Sequence, residues 1–571
     1  KILNIIGYNR DIVYSSADDK IETKDLVYST ESGNLNINSK FIYTSKEYKS
    51  TGEKLIYNKN TQEGYIINGQ VDNLIKKQFV SGDKINFNRE TGDYIVNGDA
   101  YFEDVKYIFK SETLIYKELN RNIILPTNFE LIGKKDKDIF KGIKGEYNLN
   151  SEIFKSFNEF TYEGSENKIS GFNLEFNQKT GIGEVEKNIV AINKKDGTIL
   201  TGGSGSFKEN DYIKLKNNIT LKSDKINAKS KSGEYKLKEN KIYIPGEIIF
   251  NNKEKNMNGK MYNGIYNTIT KIFIGENFTG KDVENTLKSD IIKYRVSDSV
   301  MILEKNAKII NPTATLSGNL LEYNEKTDIV KSLEKFSIKY INYDILGNQG
   351  ILNMKTDILE ADKVNIKSDS GEEFNGDKVK GTIKNMNLDF IGNVNGKIYQ
   401  DGVPVVFSGD FVRVYFVKDK FGKTKAQRVE IKKNAIIKKE GMEVYSDYIE
   451  MQTDKKLIYG KENTKILMKD KNGVVTTVTS NIMSGDLNSE VLTLVGNVKI
   501  VRKDSKNTII ATANKGILKN KENVIELRGN VLVDNGESTI EAKEVDYNTK
   551  TDKVKARGNV FVDYKNNKTN K

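Results

Sequence analysis

Apolar and polar residues alternate along almost the whole chain, in blocks of about ten residues separated by short polar turns. Gly82-Asp83-Lys84-Ile85-Asn86-Phe87, Gly171-Phe172-Asn173-Leu174-Glu175-Phe176 and Gly318-Asn319-Leu320-Leu321-Glu322-Tyr323 each put an apolar residue and an aromatic one on a single parity. Ala542-Lys543-Glu544-Val545-Asp546-Tyr547 keeps the spacing with Ala in the Gly place. Period-two alternation of this composition predicts half-buried strands. No helical apolar spacing persists. The turns that follow, such as Asn88-Arg89-Glu90-Thr91-Gly92, Asn177-Gln178-Lys179-Thr180-Gly181, Asn324-Glu325-Lys326-Thr327-Asp328 and Asn548-Thr549-Lys550-Thr551-Asp552, use residues that tolerate tight or left-handed backbone. Turns this short join antiparallel neighbours, whereas parallel strands need a long crossover. The pattern predicts an all-β up-and-down meander, with no helix beyond a short N-terminal piece before Lys20.

The second half of each block carries a ruler. Arg528-Gly529-Asn530-Val531-Leu532-Val533 returns as Arg557-Gly558-Asn559-Val560-Phe561-Val562, and Val495-Gly496-Asn497-Val498-Lys499-Ile500 and Ile391-Gly392-Asn393-Val394 are further copies. Residues in the Asn place recur at 40, 70, 99, 128, 159, 188, 218, 247, 277, 306, 335, 363, 393, 434, 463, 497, 530 and 559. Fourteen of the 17 intervals are 28–31 residues; the others are 41, 34 and 33. A fixed period of this size predicts a repetitive, quasi-one-dimensional architecture. The Gly before Asn marks a bulge or bend. A sheet apolar on one face hides that face if every strand bends into a V, giving a long trough. It would be apolar within, covered outside by Lys, Glu and Asn, and open at both ends. About 18 two-strand repeats stacked at ~4.8 Å per strand would be roughly 170 Å long. The 41-residue interval, Asn393 to Asn434, is read as a lengthened hairpin with its charged, Gly-centred tip near Val417–Lys425, because loop closure entropy grows only logarithmically.

Composition removes whole classes of chemistry. The chain of 571 residues has no His and no Cys, which excludes a Ser-His-Asp triad, a thiol nucleophile, a zinc finger and a disulfide. Asp83, Glu175 and Asp546 read as outer-face carboxylates without acid/base spacing. No enzyme, cofactor or metal is expected. The net charge is +12, but the lysines are spread along every repeat. Nucleic-acid readers concentrate Arg and aromatic residues in one patch, so nucleic acid is not an expected partner. No segment approaches the ~18 apolar residues of a membrane-spanning helix. Because the sequence starts at Lys1, an N-terminal signal or membrane anchor upstream of it is an expectation.

The C-terminal motifs, Gly-Asn-Val-x-Val followed by Ile540-Glu541-Ala542-Lys543-Glu544-Val545-Asp546-Tyr547 and a further Gly-Asn-Val, resemble the OstA-like repeat of LptA–LptC-like periplasmic bridge proteins of lipopolysaccharide transport. The closest stretch is 476–564. The organisation expected is a lead-in over 1–19, a continuous repeat array over 20–564 and a polar tail over 565–571. The resemblance implies a β-jellyroll whose groove carries acyl chains of lipopolysaccharide or a related glycolipid through the periplasm. Its partners would be an inner-membrane ABC transporter complex and an outer-membrane translocon, docked edge to edge at the terminal strands, with the free N-terminal edge near Ile21–Tyr28. On that reading the groove is lined by Ile85, Phe87, Leu174, Phe176, Leu321, Tyr323, Val498, Ile500, Val531, Val533, Val545, Tyr547, Val560 and Val562. The alternatives are a structural or adhesive surface β-solenoid without ligand, which would have a filled interior and exposed polar ladders, and a carbohydrate-active β-solenoid enzyme, which would need a local Asp/Lys/Arg cluster.

Overall fold

The computed structural model describes residues 4–565, apart from 196, 224, 254–255, 386, 470–472, 487 and 504–506. The chain divides into two compact units, Lys1–Gly280 with Arg295–Ser297 and Lys281–Tyr294 with Asp298–Lys571. Among the described residues there is no α-helix. The only helical turns are the 3-10 pieces Leu237–Glu239 and Asn520–Glu522. All described strand pairings are antiparallel, most of them between consecutive strands, as in Asn167–Asn177 against Ile182–Asn193 in the first unit and Val524–Asp534 against Ser538–Asn548 in the second; the others join pieces of strands that are interrupted, as where Asn4–Gly7 pairs with Leu26–Ser29. No helix among the described residues is long and apolar enough to cross a membrane.

The ruler is where the strands bend. Arg528 pairs with Glu544 and Val531 with Ala542, so Gly529 and Asn530 together face the single residue Lys543. Two residues opposing one is a β-bulge. Here both are left-handed, Gly529 at φ 76° and Asn530 at φ 47°. Twelve of the eighteen ruler residues have positive φ. Asn128, Glu159 and Glu247 close register shifts without it. Pro126 and Pro245 lie inside two of these shifts, where no ladder N–H is needed. Lys40, Lys335 and Asn559 fall in outright breaks, between Asn34–Ile37 and Phe41–Ser45, Ile329–Ser332 and Phe336–Tyr340, and Val554–Arg557 and Phe561–Tyr564.

The acidic residue of the first half-repeat secures this bend. Asn306 Nδ2 donates to Asp290 (2.7 Å), Asn393 to Asp377 (2.7 Å), Asn434 to Asp410 (3.0 Å) and Asn463 to Asp447 (2.6 Å). The small residue before the acid stands at the inner corner. A Cβ on Gly409 would lie 2.5 Å from Ile431 Cγ2, so a larger residue there would push the limbs apart. The polar turns close by side-chain chemistry: Asn88 Oδ1 accepts from the N–H groups of Glu90 (2.9 Å) and Thr91 (3.1 Å), and Asn548 does the same for Lys550 and Thr551.

The lengthened repeat is a pair of long strands. Val403–Lys418 and Thr424–Lys439 pair with each other and with both neighbours, Asn387–Gln400 and Met442–Gln452. Their tip is held by Asp419 Oδ1, which accepts from Phe421 N (2.8 Å) and Lys423 N (2.9 Å), with Gly422 at φ 77°. At the N-terminus the structure differs from the expected lead-in. Asn4–Gly7 pairs with Leu26–Ser29 and Ile12–Ser15 pairs with Asp19–Thr23, so the unpaired edge lies on residues 4–15, not on 21–28. Isolated four-residue strands interrupted by Asn9 and Arg10 carry too little alternation to be read from sequence.

Replacing Asn463 tests the bend. Val at φ 54° would be strained and would also lose the bond to Asp447. Asn463→Gly loses only the bond to Asp447, about 1 kcal/mol, whereas Asn463→Val should lower stability to urea by about 1–3 kcal/mol more through backbone strain. Equal losses would show that the hydrogen bond, and not the backbone conformation, carries the bend.

Candidate functional site: an apolar interior under polar lips

Inward residues keep one parity on both sides of each bulge. In Val524–Asp534 the buried positions are Ile525, Leu527, Val531 and Val533. Of the expected lining, Ile85, Leu174, Phe176, Leu321, Tyr323, Val498, Ile500, Val531, Val533, Val545 and Tyr547 are all buried. Phe87 is half-buried and stacks on Tyr57 at 6.0 Å. Val560 and Val562 stand apart from these, 47% and 42% exposed. Val562 continues the row of Val533 and Ile540, but among the described residues no strand lies beyond to cover it. Asp83 and Glu175 are exposed, as expected. Asp546 is half-buried and pairs with Arg528 (2.7 Å) and Arg557 (3.2 Å).

The interior is packed. In the first unit Phe140, Tyr162, Phe176 and Phe207 form one cluster, with centroid separations of 4.8 Å for Phe140–Tyr162, 4.9 Å for Phe140–Phe176 and 5.3 Å for Tyr162–Phe207. In the second, Phe374 meets Phe390 at 5.9 Å and Phe416 at 5.4 Å. The void beside Tyr162 and Phe207 is about 20 Å³, room for one water. An acyl chain at this point of the interior must therefore displace side chains.

Because strands alternate in direction, successive turns lie at opposite strand ends and form two rows. A flat strand of 10–12 residues would separate the rows by roughly 35 Å. Side chains from the two rows nevertheless touch, so each unit is folded over on itself and the rows are its two lips. In the first unit Lys76 pairs with Glu118 (2.6 Å), Lys106 with Glu152 (2.8 Å), and Asn193 donates to Tyr235 Oη (2.6 Å). In the second, Tyr340 Oη donates to the Lys384 carbonyl (3.5 Å), Lys456 pairs with Asp401 (2.6 Å) and Arg502 donates to the Thr549 carbonyl (2.8 Å). Five of these six contacts span three intervening strands, and Tyr340–Lys384 spans four, two of them the halves of an interrupted strand. Asn342 reaches farther. Its Nδ2 donates to the Thr424 carbonyl (2.9 Å) and its Oδ1 accepts from Thr424 N (2.8 Å), with both residues buried.

One lip contact is titratable. The Asp138 carboxyl is pushed up to about 8, first by burial, then by a hydrogen bond and charge repulsion from Glu209 on the opposite lip, with Asp136 adding to the repulsion. Tyr162 donates here too, and burial followed by the charge of Asp138 raises its own pKa far above the ordinary tyrosine value. Among the described residues no group of three or more His, Cys, Asp or Glu forms a metal site.

The lip residues were not identified from sequence. They are ordinary polar residues in or beside the turns, and only the folding of one lip over the other gives them partners.

Together, the bent antiparallel hairpins and the one-parity apolar interior define a repetitive β-jellyroll. Its C-terminal part, residues 500–570, matches the family described as lipopolysaccharide-assembly, LptC-related, in agreement with the resemblance of the 476–564 motifs. No curated protein matches the chain. A solved structure, LptH of Pseudomonas aeruginosa, titled as the LptA homologous periplasmic component of the lipopolysaccharide transport device, is 18% identical, covering 22% of this chain and 94% of its own, with a TM-score of 0.20.

Two outcomes follow. Val531→Asp places a carboxylate at a site only 2% exposed and should cost about 3 kcal/mol or more in urea unfolding; Val562→Asp should cost less than about 0.5 kcal/mol. For Asp138, a folded pKa raised above the unfolded value of ~3.9 means that its contribution to stability is full below that value. The contribution is lost as pH rises through about 8. The melting temperature of Asp138→Asn should therefore fall less than that of the parent between acid and alkaline pH; parallel pH profiles would contradict this assignment.

Proposed function

We propose that the chain is a non-enzymatic lipid carrier of the periplasm, holding acyl chains of lipopolysaccharide or a related glycolipid in its apolar interior. It would act between an inner-membrane ABC transporter complex and an outer-membrane translocon. The observation that carries the reading is the match of 500–570 to a lipopolysaccharide-assembly family, over a stretch built from the same Gly-Asn bulge and inward parity as the rest of the chain. Adaptable Met257, Met261, Met301, Met451 and Met483 in the buried interior suit a lining that repacks around a guest. Docking would use sheet edges. Ile5 and Ile6 on Asn4–Gly7, and Phe561 and Tyr564 on Phe561–Tyr564, are exposed apolar residues on outermost strands, and such edges recruit further strands.

A ligand-free structural β-solenoid is the second reading, and a specific observation favours it. The interior is filled with side chains, and the outer face carries amide ladders such as Asn365–Asn375–Asn395. Photocrosslinking separates the two. A photoreactive residue at Phe176, Tyr323 or Val531 should capture lipopolysaccharide-like lipid in cells, and one at Glu175, Glu322 or Leu532 should not. Capture on neither parity, together with no co-purifying lipid by mass spectrometry, would favour the structural reading.

A further inference from the structure

The two lips meet along a seam, and the seam is built differently from the rest of the fold. The described junctions between neighbouring strands are ladders of backbone hydrogen bonds; Ser538–Asn548, for example, pairs with Val524–Asp534 at nine positions. Among the described residues, no strand pairing crosses the seam. Each contact across it involves a side chain: Lys76–Glu118, Lys106–Glu152, Asn193–Tyr235, Asp401–Lys456 and Arg502–Thr549, and the buried Asn342 amide on the backbone of Thr424. Several of these groups are in water, the Lys106 side chain 56% exposed and that of Asp401 55%. Exposed pairs of this kind are weak and exchange readily with solvent, whereas a backbone ladder opens only cooperatively. Directly beneath the seam lies the packed interior, where Tyr162 and Phe207 leave no void larger than a water.

These features decide how a guest enters. Threading an acyl chain from one end would require packed rings such as Phe140, Tyr162, Phe176 and Phe207 in the first unit, and Phe374, Phe390 and Phe416 in the second, to move while the seam stayed shut. Parting the lips locally breaks two or three exposed contacts and no ladder, and it keeps the polar head of the guest in water beside the polar lips.

We propose that the interior is loaded sideways, through the seam, and that the Lys106–Glu152 and Asp401–Lys456 contacts are latches that release to admit an acyl chain. This rests on the lipid-carrier reading above. The bends supply the hinge, since the limbs are joined at bulges, register shifts or strand breaks, and seam contacts set three or more strands apart let one stretch of seam part while the next stays closed. The carboxyl pair of Asp138 and Glu209 belongs to the seam of the first unit and is a charge-repelling contact within it.

The absence of cysteine makes the test clean. Lys106→Cys with Glu152→Cys, and Asp401→Cys with Lys456→Cys, are introduced together in the full chain. They are bridged after folding by a disulfide-containing bis-maleimide, so that reductant reopens the staple. Circular dichroism verifies that the strand content is unchanged. The probe is fluorescently labelled lipopolysaccharide offered from micelles, and uptake is followed by energy transfer to a dye on the protein. The expected result is that the unstapled variant loads at least as fast as the parent, that the stapled form loads about tenfold more slowly or not at all, and that reduction restores loading. Equal loading of stapled and reduced forms overturns lateral entry and leaves the lipid reading standing. Loading of neither form, nor of the parent, removes the lipid reading and lateral entry with it.

Discussion

Everything in this fold depends on hiding one apolar face of a sheet that has nothing else to pack against. Sheets usually solve this with a second sheet or a layer of helices. Here each strand supplies both layers by turning back at its middle. Two left-handed residues in series, as at Gly529 and Asn530, bend the strand while preserving parity, so that Leu527 before the bulge and Val531 after it both face inward. The bend would be a local weakness were it not tied across to the next strand, and the Asn463–Asp447 and Asn393–Asp377 bonds do that at the corner. The repeat in sequence is thus a repeat of corners. Strands, turns and core follow from placing one every 29 residues or so.

Once the corner is set, burial of the inward side chains dominates the energetics and the lips add little. At roughly 25 cal/mol per Å², inward Phe or Leu residues each contribute about 1.5–3 kcal/mol, while an exposed ion pair such as Lys106–Glu152 is worth about 0–1 kcal/mol. The lips therefore align the limbs more than they hold them together. Buried contacts are the exceptions: Asn193 on Tyr235 in the first unit, and in the second the Asn342–Thr424 pairing, which uses both ends of the amide and pins the start of the long Thr424–Lys439 strand against the opposite lip.

Much of this was legible before any coordinates. The inward parity of Leu174 and Phe176, the Asn-led turns at Asn88 and Asn548, the bulge at Asn530 and the lengthened hairpin with its tip at Asp419–Lys423 are local consequences of residue type. They depend on φ preference, side-chain reach and alternation, all of which act over a few residues. What was not legible is relational. Nothing near Lys106 in sequence announces Glu152, because their meeting is set by how two twisted limbs lie over one another. Val560 and Val562 carry the same motif as Val531 and Val533, yet they are exposed because burial depends on the next strand and not on the residue. The acidic position was assigned to the outer face in general, whereas Asp290, Asp377, Asp410 and Asp447 each hold an asparagine at a corner.

The three-strand offset shows what kind of constraint closes the fold. Most lip partners in regular repeats lie 42–47 residues apart, as in Lys76–Glu118, Lys106–Glu152 and Arg502–Thr549, while Asp138–Glu209 and Asn342–Thr424 reach across more strands. Across the lengthened hairpin, Asp401 and Lys456 are 55 apart, yet three strands still intervene. Closure therefore counts strands and not residues. Three spacings of ~4.8 Å make an axial shift of roughly 14 Å between lips. Over limbs of roughly 17 Å, that shift means two layers crossing at a few tens of degrees, the regime of aligned sheet packing that strand twist imposes. Twist is a property of the backbone, common to all the repeats whatever their sequence. That is why the ruler can erode to Glu159 or Lys363 and lengthen to 41 residues while the lips stay in register: the side chains choose where each strand bends, and the backbone chooses where the two ends meet.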